Sequence, residues 1–140
     1  PKESGQSPSI TDLESSSIAR ISVGEPSSVP AGKYAVQVLE NAGVLEAVMK
    51  KAVYAKNVRQ VLYYVESGEV DAGFVYMTET LQSSKVRITA VADERSHDAI
   101  IYPGAVLKDC GNRKAACDFL QWMRGEEAEA MFQKHGFEVP

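Results

Sequence analysis

Between Asn57 and Met77 the hydrophobic period of the chain changes within a few residues, and that change constrains the fold. Val58, Val61, Leu62 and Val65 fall at i, i+3, i+4 and i+7, one apolar face of a helix, with Asn57 as N-cap and Gly68 as terminator. Ala72-Gly-Phe-Val-Tyr76 follows as a continuous apolar run, the pattern of a strand within Asp71–Met77 that is buried on both faces. A strand of that kind needs helices on either side of it, which predicts an α/β architecture with a mixed, mostly parallel sheet flanked by helices.

The remaining segments extend the alternation. Ile21 and Val23 predict a short strand ending at Gly24, and the Pro- and Gly-rich stretch Gly24–Gly32 predicts a loop. Tyr34, Val38, Leu39 and Ala42 form a helical stripe, with Gly43 at the C′ position. Val44–Lys51 reads as a second short helix and Ala52–Ala55 as a strand. Thr78 is expected to cap a helix over Glu79–Gln82. Val86–Val91 alternates as a strand, residues 92–98 read as a loop, and Ile100–Leu107 reads as a strand bent at Pro103. Asn112 caps a helix whose Ala115, Ala116, Phe119, Leu120 and Met123 share a face, with Gly125 as its stop. Glu126–Lys134 is a last helix with an acidic first turn, and Gly136 is its C′ residue. Residues 1–17, rich in Ser, Gly and Pro, read as a flexible lead-in with one turn near Thr11–Glu14, and order is expected from Ile18.

Composition removes several function classes. The 140 residues amount to one ordinary domain, with 15 basic and 19 acidic side chains giving a net charge of −4. Without a basic cluster, an acidic chain argues against nucleic acid or an anionic membrane as the main partner. No apolar run approaches the roughly 20 residues that span a bilayer. The chain begins at Pro1 with no signal-peptide pattern, so a processed, engineered or fragmentary chain is expected. Cys110 and Cys117 lack zinc-ligand spacing, and His97 and His135 are remote from both, so no metal centre is expected. The two thiols read as unpaired small hydrophobes, although pairing would require only that the loop at 110 fold back.

No nucleophile elbow, phosphate loop, dinucleotide fingerprint or zincin motif is present. His97 lies in a polar loop, and His135 suits the last turn of a helix as a dipole partner. No catalytic residue is assigned. What remains is helix-start chemistry. Val29-Pro-Ala-Gly32 runs straight into a helix, and so does Asn57-Val-Arg59. The first N–H groups of such helices point outward as donors with partial positive charge, which suits an anion. Tyr76 adds a hydroxyl at the carboxyl end of a strand, where α/β folds place ligands.

Three ordered segments, Val29–Ala35, Asn57–Leu62 and Asp71–Tyr76, with Ile101-Tyr-Pro103 and Phe132-x-x-x-Gly136-Phe137, resemble the signatures of periplasmic molybdate-binding proteins of ABC-type importers. The resemblance runs from about Ile10 to Phe137. It implies the second lobe of a type II periplasmic-binding-protein-like fold, with the first lobe missing: residues 18–99 as the anion-binding lobe, and 100–140 as hinge strand and C-terminal helices. It also implies a tetrahedral oxyanion, molybdate or tungstate, held by the backbone N–H of Ala31, the backbone N–H of Val58 and the hydroxyl of Tyr76. Val61, where alanine is common, and Met77 depart from the pattern without touching these donors. Lys33 and Arg59 are expected to supply a modest field rather than direct ligation. The implied partner is a membrane permease, the implied location periplasmic or extracytoplasmic with lipid anchoring in the full-length protein, and no cofactor is implied. The chain alone is expected to bind weakly or not at all, and to dimerise or rearrange through Phe119, Leu120, Trp122, Met123, Met131 and Phe132. A sulfate-type or sensory binding module is the alternative reading, and a small α/β enzyme a distant one.

Overall fold

A computed structural model describes residues 9–139, so the first eight residues of the expected lead-in lie outside the described residues. The chain divides into two compact units, with the boundary between Ala99 and Ile100.

The first unit is built on a parallel sheet of three strands in the order β2-β1-β3: β1 Ile21–Gly24, β2 Ala52–Ala55 and β3 Ala72–Gly73. The register pairs Ile21 with Ala52 on one side and with Ala72 on the other. Helices α1 (Pro30–Asn41) and α2 (Leu45–Met49) connect β1 to β2, and α3 (Val58–Glu66) carries the chain from β2 across to β3. All four residues of β1 are buried, as expected of a central strand covered on both faces. Ile21 and Val23 join Leu13, Ile18, Ala35, Leu39, Val44 and Val48 in the core. Ser22 points the other way, and its hydroxyl donates to the Val53 carbonyl at 3.1 Å, so the buried polar atom is satisfied.

Local chemistry explains the helix boundaries. The Asn57 side chain accepts from Gln60 N–H at 2.9 Å, and the Gln60 side chain accepts in turn from Lys56 N–H at 2.8 Å, a reciprocal arrangement close to a capping box. Gly43 and Gly68 follow α1 and α3 at φ 73° and 74°, the left-handed conformation in which a Cβ is penalised.

The structure departs from the sequence reading at several places. The strand expected over Asp71–Met77 is confined to Ala72–Gly73. Phe74 N–H still donates to the Ser22 carbonyl at 3.0 Å, after which the chain leaves its neighbour, and residues 74–76 are half-buried rather than buried on both faces. The following helix, α4, is Met77–Thr80; it starts earlier than expected, so Tyr76 takes the N-cap position and Thr78 lies inside. Val86–Val91 and Ile100–Leu107 form no strand; alternation can favour a strand, but only a neighbouring ladder stabilises one, and neither segment has a ladder among the described residues. Leu13, within the stretch read as lead-in, is 6% exposed and packs in the core from a 3-10 turn over Thr11–Glu14.

The second unit contains α5 (Arg113–Trp122), capped where Asn112 accepts from Ala115 N–H at 3.1 Å, and α6 (Glu126–Lys134). Gly125 serves as the N-cap of α6. The apolar face expected for α5 has no buried residue. Phe119 stacks on Trp122 at 5.7 Å, and Phe137 meets Tyr102 and Phe132 edge-on. Cys110 and Cys117 are free thiols.

Candidate functional site

Because the three strands run parallel, their carboxyl ends share one edge of the sheet. Each leads to a helix start at that edge: β1 to α1, β2 to α3, β3 to α4. Ala31, Val58 and Tyr76, read from sequence as anion donors, occupy these starts. Ala31 is the second residue of α1 after Pro30, Val58 the first of α3, and Tyr76 the N-cap of α4. Open α/β sheets accept ligands at such an edge.

The two longer helix starts present open donors. In α1, Gly32 N–H and Lys33 N–H both donate to the Val29 carbonyl, while Ala31 N–H has no acceptor among the described residues. In α3, Gln60 N–H is taken by the Asn57 side chain and Val61 N–H by the Asn57 carbonyl, which leaves the Val58 and Arg59 N–H groups open among the described residues. These are the orphan donors of a helix start, at the positive end of the dipole. Tyr76 is half-buried, and its carbonyl accepts from Glu79 N–H at 3.1 Å.

Close backbone packing sets the position of α1. A Cβ on Gly32 would strike the Gly24 carbonyl, its carbon lying 2.6 Å away, so only glycine lets the first turn of α1 rest against the end of β1. Glu25 N–H donates to the Ala55 carbonyl at 2.8 Å, which ties the loop after β1 to the end of β2. At the opposite end of the sheet, the Asp71 carboxylate accepts from Ala19 N–H at 2.8 Å and Arg20 N–H at 2.9 Å, fixing the entry to β1 against β3.

A polar cluster on α1 was not legible in the sequence. The Asp98 carboxylate accepts from Lys33 Nζ at 2.9 Å and Gln37 Nε2 at 2.8 Å, and Asp98 N–H donates back to Gln37 Oε1 at 2.9 Å. The His97 ring packs on Tyr34 with centroids 5.9 Å apart. The Gln37 amide, then the Lys33 ammonium, hold the Asp98 carboxyl below the usual carboxylate range, and hydrogen bonding and charge from Asp98 hold Lys33 above the usual amine range. Lys33 is thus already paired. The spacing Lys33-x-x-x-Gln37 marks one helix face, but nothing in the sequence points to residue 98 as its partner.

Among the described residues no cluster of His, Cys, Asp and Glu could hold a metal ion, and no helix is long and apolar enough to cross a membrane.

The chain has known relatives. The family of bacterial extracellular solute-binding proteins matches residues 1–138. YvgL of Bacillus subtilis, whose name places it among ABC transporter substrate-binding lipoproteins, is 42% identical over 135 residues, 96% of this chain and 52% of its own length. The molybdate-binding protein ModA of Escherichia coli is 33% identical over 120 residues, 86% of this chain and 46% of its own. A solved substrate-binding domain named for a molybdenum ABC transporter of Clostridium difficile superposes with a TM-score of 0.84 at 37% identity, over 94% of this chain and 58% of that one. The chain therefore spans about half the length of the curated relatives it matches.

Proposed function

The chain belongs to the bacterial extracellular solute-binding protein family, and on that premise we propose that it supplies one side of a tetrahedral-oxyanion site, for molybdate or tungstate, in the receptor of an ABC importer. The observation that carries this reading is the pair of open helix starts, at Ala31 and at Val58, on one carboxyl edge of a parallel sheet. Two aligned dipoles with unpaired N–H groups stabilise a dianion without a lysine in contact, which agrees with an acidic chain whose Lys33 is engaged elsewhere. The Tyr76 hydroxyl is proposed as the third donor, and the remaining donors as coming from the part of the relatives that this chain does not match. The site needs no resident cofactor: the protein binds and delivers, the permease is its partner, and its working place is outside the cytoplasm.

The test is a titration of this chain with sodium molybdate, sodium tungstate and sodium sulfate, followed by amide chemical shifts and calorimetry. With one side of the site, the expected affinity is weak, with a dissociation constant on the order of 1 mM. The shifts should concentrate at Ala31, Val58 and Arg59. Tyr76→Phe should weaken binding by about 1–3 kcal/mol through loss of one donor to a charged acceptor. No movement of the Ala31 and Val58 amides with any of the three salts at tens of millimolar would sink the reading.

A further inference from the structure

The polar cluster on α1 bears on how strongly this edge attracts anions. Lys33 is two residues after Ala31 in the helix, and it is the ammonium nearest in sequence to the α1 start. In the folded chain that charge has a dedicated partner, Asp98, contributed from 65 residues away and seated by Gln37, which grips both its carboxylate and its backbone N–H. His97, its ring tilted against that of Tyr34 with centroids 5.9 Å apart and its Nδ1 in contact with the Asp98 carbonyl at 2.8 Å, fixes the segment on the same helix face. A solubility lysine needs none of this; an exposed ion pair held by four contacts positions a counter-charge.

We infer that Asp98 is a positioning residue for the oxyanion site: it cancels the field of Lys33 at the α1 start, so that an anion is held by the neutral N–H donors and not by net charge. This rests on the oxyanion reading above. The consequence is a ceiling on non-selective attraction. With Lys33 unopposed, every dianion in the surroundings would gain equally, sulfate included, so occupancy at low anion concentration would rise with no gain in selectivity between dianions.

The experiment is the same amide titration on Asp98→Asn, Lys33→Met and the double variant, at low salt and in 0.5 M NaCl. In Asp98→Asn the unopposed ammonium should raise molybdate and sulfate affinity alike by about three- to ten-fold at low salt. Perchlorate, a monoanion of the same shape, should gain only about the square root of that factor, because the interaction scales with ligand charge. The gain should vanish in 0.5 M NaCl, where the screening length falls to about 4 Å, and the double variant should return to the wild-type affinity. A merely structural role for Asp98 predicts otherwise: the double variant would stay impaired, and dianions and the monoanion would change alike. Either of those results, or unchanged affinity in Asp98→Asn, overturns the inference while leaving the oxyanion reading in place. A wild-type chain whose Ala31 amide ignores all three anions overturns both.

Discussion

Gly32 and Asp98 show how single residues position the α1 start. At Gly32 the constraint is steric and absolute: an alanine methyl would overlap the Gly24 carbonyl, which is backbone and has no rotamer to yield. Gly32→Ala should therefore cost more than about 2 kcal/mol in urea unfolding and displace the Ala31 donor; full stability in that variant would show that α1 does not rest on β1 as described. At Asp98 the constraint is electrostatic and depends on pH. Its folded carboxyl titrates below the unfolded one, so its contribution is present above about pH 4 and is lost as pH falls through the folded value. Lys33 is raised, so its contribution is complete below about pH 10 and is lost as pH rises through its folded value. Both groups are exposed, so the effect is small, but its sign is fixed. Carboxyl-carbon shifts of Asp98 followed from pH 2 to 7 should give a midpoint below that of an unfolded aspartate; a midpoint at or above it would contradict the clamp.

At the scale of elements, what the sequence reveals depends on where the stabilising partner lies. Helix α3 is legible because its signals are local: the apolar spacing, the cap at Asn57 and the glycine at 68 all fall within its own length. The open donors at Ala31 and Val58 are legible for the same reason, since a helix start is a local event. Strands β1 and β2 are found because each is a short apolar stretch bounded by turn residues, but Val86–Val91 and Ile100–Leu107 carry a similar pattern and pair with nothing among the described residues. Periodicity reports which side chains could share a face; it does not report whether a neighbouring backbone is there. The Asp98 clamp and the burial of Leu13 were unreadable for a related reason, each being a contact between segments far apart in sequence. The cap at α3 also separates stability from binding. Asn57→Ala should cost about 1 kcal/mol of stability. Asn57→Asp should keep the cap and the stability, yet weaken molybdate or sulfate binding by roughly tenfold, because a carboxylate then sits beside the open Val58 and Arg59 donors. Equal binding by the Asp variant and the wild type would remove the α3 start from the site.

At the scale of the whole molecule, the two units differ in how they treat apolar side chains. The first encloses a core around β1, with Ile21, Val23, Leu39, Val48 and Val61 fully buried. The second, although its helices are amphipathic, leaves Ile101 at 72%, Leu107 at 78% and Phe119 at 58% exposed, with Trp122 and Met131 also open. Scattered exposed hydrophobics are ordinary, but several large ones within about forty residues, two of them stacked aromatics, exceed what a solitary surface usually carries. Water is a poor neighbour for that surface, and at high concentration a second copy is the readiest alternative. The chain should therefore self-associate, with sedimentation velocity showing a dimer that grows between about 1 and 100 µM. Phe119→Ser with Trp122→Ser should shift it toward monomer. Neither residue lies in the buried core of the first unit, so the double variant should leave the Ala31 and Val58 amides where they are. A chain that stays monomeric across the whole range would mean that the apolar side chains of residues 100–139 are tolerated in water one by one, and self-association would be discarded.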